Sequence, residues 1–133
     1  MLSEAYSRGM PERVDLELTK DERAILACGL IEWGGPASGT DEIARLIGFR
    51  DLSSLYEDGS RIADSIRGGH ALSADDWRRA LLATELVFAS DLIGSGIDWE
   101  VTTGFGDERT IRLLRNAQRK LAHIVRSFEP AQP

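Results

Sequence analysis

One cysteine, two histidines and two lysines are all that the 133 residues contain of those three types. Cys28, standing alone, excludes an intramolecular disulfide and a cysteine-built zinc cluster, and it points to a reducing cytoplasm as the expected address. His70 and His123 are too few for most multi-histidine metal sites. No apolar stretch reaches the roughly twenty residues that a membrane-spanning helix needs. The first fifteen residues hold no long apolar run either, so no secretory signal is predicted. Glycine-rich phosphate loops of the Walker and GxGxxG kinds, HExxH and GxSxG are all missing. The chain therefore reads as a non-enzyme, and neither a cofactor nor a metal is expected.

What is present is a globular composition, 42% hydrophobic and 29% charged, with a net charge of −6. The charge is uneven. Residues 1–108 carry 10 basic and 21 acidic side chains, a net of −11, whereas residues 109–133 carry six and one, a net of +5. An acidic body repels phosphate, which disfavours nucleic acid and favours pairing of the basic tail with carboxylates or with a partner protein.

Helix-start and helix-stop residues divide the chain. Thr19-Lys20-Asp21-Glu22 has the form of a capping box, in which threonine hydroxyl and glutamate carboxylate satisfy reciprocal backbone N–H groups. Thr40 and Ser73 stand where N-caps belong. Gly34-Gly35-Pro36, Gly48 and Gly68-Gly69 stand where helices stop. Leu52, Leu55, Tyr56, Ile62, Ala63 and Ile66 stay in helical phase across Gly59, so one helix with a weak point, or two collinear ones, is expected. From Trp77 to Ile93 the apolar side chains run nearly all the way round, as in a helix buried at a domain's centre. The last helix, from near Asp107 to about Phe128, sets Leu113, Leu114, Ala117, Leu121, Ile124, Val125 and Phe128 against an arc of Arg112, Arg115, Arg119, His123 and Arg126.

The predicted architecture is all-α: a compact bundle of about five helices around a central apolar helix, 74–93. Val14, Leu16 and Leu18 alternate with polar residues, as do Ile97, Trp99 and Val101, so a minor two-stranded ribbon of 14–18 with 97–101 is expected on the bundle. The domain would occupy 14–128, between a flexible leader, 1–13, and a flexible tail, 129–133.

Three constellations carry functional weight. Asp41 to Phe49 resembles the first helix and turn of a helix-turn-helix, with Ala44 and Gly48 four apart. The helix behind it offers Asp51, Ser53, Ser54, Glu57 and Asp58, a poor match to phosphate. Glu85, set among Leu81, Leu82, Phe88 and Ala89, reads as a buried polar anchor held by Arg78 or by an arginine of the last helix, and Asp91 reads likewise. A buried carboxylate could also serve as a general acid or base. Residues 94–107 combine glycines, carboxylates and an exposed-looking Trp99, a hot-spot composition. The expected partner-binding residues are Asp98, Trp99 and Glu100, with Glu57 and Asp58.

In size, acidity and helical content the chain resembles the immunity or antitoxin-like inhibitors that bacteria keep beside toxic enzymes, a likeness of architecture that rests on no diagnostic motif. It implies a cytoplasmic protein-binding module whose acidic body meets a basic protein partner. The alternative is a nucleic-acid-associated regulator acting through the helix-turn-helix-like stretch. Ile111, Leu114, Gln118, Leu121, Val125 and Phe128 keep heptad-like spacing. The chain is thus expected as a monomer, or as a homodimer through its C-terminal helix, with no membrane partner.

Overall fold

A computed structural model describes residues 12–125. Among them are six α-helices and a small antiparallel ribbon. In chain order these are β1 (Arg13–Val14), α1 (Lys20–Ile31), α2 (Asp41–Ile47), α3 (Leu52–Arg67), β2 (Leu72–Ser73), α4 (Ala74–Ala89), α5 (Trp99–Thr103) and α6 (Asp107–Val125). Short 3-10 turns at Glu32–Gly34 and Gly96–Asp98 extend α1 and lead into α5. Residues 1–11 of the expected leader, the 126–128 end of the last helix and the tail 129–133 lie outside the described residues.

The local signals act where the sequence places them. Thr19 Oγ1 accepts from the Glu22 amide at 3.1 Å while Glu22 Oε1 accepts from the Thr19 amide at 2.9 Å, a closed capping box. Thr40 and Ser73 cap α2 and α4 through the amides of Ile43 and Asp76, at 3.2 and 3.1 Å. Gly48 ends α2 at φ 121°, a conformation that L side chains rarely adopt. The helix α3 runs unbroken through Gly59, which is buried against Leu30.

The apolar interior is shared between α1 and α4. Ile25, Leu26, Ala27 and Leu30 of α1, with Trp77, Ala80, Ala83 and Val87 of α4, are buried in one continuous core. The helix α1 packs on α3, α4 and α6. A Cβ on Gly29 would run into the backbone and hydroxyl of Thr84, so this glycine is what lets α1 and α4 approach so closely. The central helix stops at Ala89 rather than at residue 93. Ser90 turns extended, its hydroxyl accepts from the Ile93 amide at 3.1 Å, and the chain doubles back until the Ser95 amide reaches Val87 O at 2.7 Å.

The ribbon forms with a different second strand. Val14 pairs with Leu72 and Arg13 with Ser73, so the last residue of the expected leader is already part of the fold. Residues 97–101 instead coil into the 3-10 turn and α5. Leu72 comes directly before the Ser73 cap and is fully buried, which brings its backbone to the bundle surface where β1 can lie along it.

All three tryptophans are buried, and each indole N–H fastens one segment to another. Trp77 Nε1 donates to Val14 O at 2.9 Å, Trp33 Nε1 to Ala83 O at 3.3 Å, and Trp99 Nε1 to Thr110 Oγ1 at 2.9 Å. A large ring with one polar corner suits that task, since burial stabilises the ring while the N–H selects a single acceptor. No helix among the described residues is long and apolar enough to cross a membrane.

Candidate interaction surface

The segment between α4 and α6 is pinned from below. Glu32, at the end of α1 and only 9% exposed, accepts from the Ser95 hydroxyl at 2.7 Å and from the Thr102 hydroxyl at 2.5 Å. Trp99 has no exposed surface and meets Phe88 edge to face, with ring centroids 5.6 Å apart. The Thr103 hydroxyl donates to Trp99 O at 2.6 Å, and Gly104 closes α5 in the left-handed conformation at φ 80°.

Fixing Trp99 inward dictates what faces out. At about 100° per residue, positions two before and two after lie near the opposite side of a helical turn. Those positions are Ile97 and Val101, 82% and 85% exposed. Leu92, in the turn that precedes them, is 90% exposed. Asp91 Oδ1 accepts from the Ile97 amide at 3.0 Å, which draws the Leu92 turn against the start of the 3-10 turn. Asp91, Asp98 and Glu100 are exposed around these apolar side chains. The result is three bare aliphatic groups among carboxylates.

Asp98 and Glu100 lie on the exposed side of this segment, but Trp99 does not: it is a core residue. The aliphatic side chains beside it take the outward positions that the sequence reading assigned to the ring. Glu57 and Asp58 are exposed on α3, and no hydrogen bond or ion pair joins them to Asp98 or Glu100. Asp91 is an exposed loop cap rather than a buried anchor, because its acceptor is used at the surface to close the turn. Glu85 is half-buried, and its partner is neutral: Gln118 Nε2 donates to Glu85 Oε2 at 2.6 Å, and Arg115 in turn donates to Gln118 Oε1 at 2.6 Å. The expected arginine is thus one amide removed. This relay borders a groove of about 390 Å³ between α4 and α6, lined by Phe88, Ala89, Ile111 and Leu114.

Among the described residues Glu22, Glu32 and Asp76 are the deeply buried carboxylates, and no pattern in the sequence marks them as buried. Glu22 was legible only as a cap, yet it also receives Lys120 Nζ at 2.6 Å. Arg109 likewise pairs with Asp21, so part of the basic last helix is matched to α1. Arg112, Arg115, Arg119 and His123 face outward as their arc predicts. Leu114 and Leu121 of the heptad-like series are buried within the chain, while Ile111 is 53% exposed. Burial pushes the Cys28 thiol above its ordinary range, against a smaller opposing pull from Arg67. Among the described residues no group of three histidine, cysteine or acidic side chains could hold a metal ion.

Fold and surface together define a small helical domain that presents an acidic, aliphatic-studded loop. No family model, no curated protein and no solved structure matches the chain.

Proposed function

We propose that the chain is a protein-binding module, an immunity or antitoxin-like inhibitor in kind, whose docking face is built on Leu92, Ile97 and Val101 with Asp98 and Glu100 at the rim. The observation that carries this reading is the exposure of three aliphatic side chains, 82–90% each, on a segment otherwise clamped to the core. Burying one such side chain fully is worth about 1.5–3 kcal/mol. Three together can offset much of the cost of bringing two proteins into one complex. The surrounding carboxylates select a partner with a basic rim and speed its approach. Because Glu32 and Trp99 hold the segment in place, little ordering is required on binding.

Helix-turn-helix recognition of duplex DNA has weaker support. The turn at Gly48 and the caps at Thr40 and Asp51 are the local grammar of two packed helices, and the outer face of α3 displays Glu57, Asp58 and Asp64. Carboxylates there would oppose a phosphate backbone.

The test compares the wild-type chain with an Ile97→Asp, Val101→Asp double variant as bait in cells of the source organism, across low and moderate salt. A stoichiometric protein should be retained by the wild type, released more readily as salt rises, and lost with the double variant. The variant should keep the wild-type circular dichroism, since both positions face solvent. Retention of the same protein by the double variant, or tight duplex binding that it leaves intact, defeats the reading.

A further inference from the structure

The cleft beside the Gly48 turn gathers three guanidiniums in an otherwise acidic molecule. Arg50 from the turn, Ser54, Asp58 and Arg61 from α3, and Asp76 and Arg79 from α4 line a space of about 370 Å³. Three guanidiniums face Asp58 and Asp76 there, with Asp51 at the edge beside Arg50, so the cleft is close to neutral in a chain of −6. Asp76 is more than satisfied: its side chain is 10% exposed, Oδ1 accepts from Arg79 Nη1 at 2.9 Å, and Oδ2 accepts from Arg61 Nη2 at 3.3 Å. One buried carboxylate needs one guanidinium, and this one holds two.

The pair is also set in position. Arg79 Nε donates to Gly48 O at 2.8 Å, and its guanidinium lies over the Phe49 ring, 5.7 Å from the centroid. Arg61 stands 3.9 Å from Asp58 through Nε. Among the described residues no hydrogen bond occupies Arg79 Nη2 or Arg61 Nη1, and Arg50 approaches Asp51 no closer than 3.8 Å. Donors from three elements therefore remain uncommitted around one space. A group held rigidly by a buried partner and still short of acceptors is the usual preparation for an anion.

We propose that this cleft binds a carboxylate-bearing ligand, its two oxygens shared between Arg61 and Arg79, with Arg50 closing the rim. The charge selects the anion. A monoanion adds one negative charge to a cleft that already holds Asp58 and Asp76, whereas a phosphate dianion would add two. The geometry agrees: Asp76 has already taken one donor from each guanidinium, so neither presents a complete fork of its own, and a bridging carboxylate takes one donor from each. The volume lies within the roughly 300–1,000 Å³ typical of small-molecule sites, so the carboxylate comes attached to an organic body. Free small acids and the C-terminus of a peptide share that chemistry. The site is separate from the aliphatic face on α5, and either can fail without the other.

Amide-resolved NMR titration of the full chain, at constant ionic strength and pH 7, decides the matter with four probes: acetate, a dipeptide acid, the same dipeptide as its amide, and inorganic phosphate. Gly48, Phe49, Arg50 and Ser54 amides should shift saturably with the two acids and not with the amide. Arg61→Gln should weaken the acids at least tenfold, while Arg112→Gln on α6 leaves them unchanged. A dipeptide acid that outdoes acetate identifies a chain terminus as the source, and equal affinities identify a free acid. If Arg61→Gln does not fold, Arg50→Gln, whose side chain is 84% exposed, supplies the weakened variant. Absence of any saturable shift, phosphate binding more tightly than both acids, or an Arg61→Gln protein that binds like wild type overturns the proposal.

Discussion

Asp76, in the first turn of α4, and Glu32, beside the turn that follows its last, are both buried carboxylates, yet they are satisfied by different chemistry. Asp76 is gripped by two guanidiniums. Glu32 receives two neutral hydroxyls, from Ser95 and Thr102, and no ion pair reaches it among the described residues. The contrast separates two ways of building a surface. Two guanidiniums share one buried carboxylate at one end of α4 and leave donors over, which suits the anion-binding cleft proposed there. Hydroxyls at the other end form short bonds between segments remote in sequence, so that end is a fastener, and the chemistry appears instead on the far side of the segment it fastens.

Four substitutions test the contrast, beginning with the most severe. Trp99→Ala removes the ring that seats α5 and orphans the Thr110 contact, and should cost about 3–5 kcal/mol in urea unfolding. Val101→Ser, two residues away but facing solvent, should change stability by no more than about 0.5 kcal/mol. Equal effects would mean that α5 is not seated as described. Next, Asp76→Asn should cost about 1–3 kcal/mol, because two guanidiniums lose their shared charge. Part of that loss should fade near 1 M salt, where the screening length falls to roughly 3 Å, because Arg61 and Arg79 are partly exposed although Asp76 is buried. Glu32→Gln keeps an acceptor for the hydroxyls and should cost less than about 1 kcal/mol, with no response to salt. Matching salt profiles would erase the distinction between the two ends.

The smallest effect concerns pH. The Ser54 amide donates to Asp51 at 2.8 Å and holds its carboxyl below the ordinary value of 3.8. A lowered folded-state pKa favours the native anion, so this contribution is complete above 3.8 and fades as pH falls through the folded value. Asp51→Asn should therefore lower the melting temperature slightly at neutral pH, and the gap should close in acid. A gap that widens in acid would show that the carboxylate does not cap α3.

The parts of this fold that were legible in the sequence are those written within a few residues of themselves. Thr19 with Glu22, Thr40 with Ile43, and Ser73 with Asp76 are local bonds, so residue type and spacing suffice. The helix α3 was legible across Gly59 because its apolar phase never slips. The direction of Trp99 was not. Ile97, Trp99 and Val101 read as one apolar face of a strand, but in a helical turn the same spacing puts the ring on one side and the aliphatic pair on the other. What chooses between these is the hydroxyl of Thr110 and the ring of Phe88, each eleven residues from Trp99 along the chain. Strand β2 escaped for a similar reason, being two residues long and flush with a helix cap. Nothing in the sequence marks Glu32 and Asp76 as buried, since their partners come from remote segments: Ser95 and Thr102 for the first, Arg61 for the second. Glu85 drew attention by its apolar neighbours, yet a groove opens beside it and its pairing is with an amide.

Because the fastening of α5 runs through Glu32, Ser95, Trp99 and Thr102, none of the side chains at positions 92, 97, 98, 100 and 101 supports the core. Those five letters can be rewritten without renegotiating the fold. A lineage carrying this domain is therefore free to exchange one binding preference for another by substitution at a handful of sites, while the scaffold that displays them stays under unchanged selection.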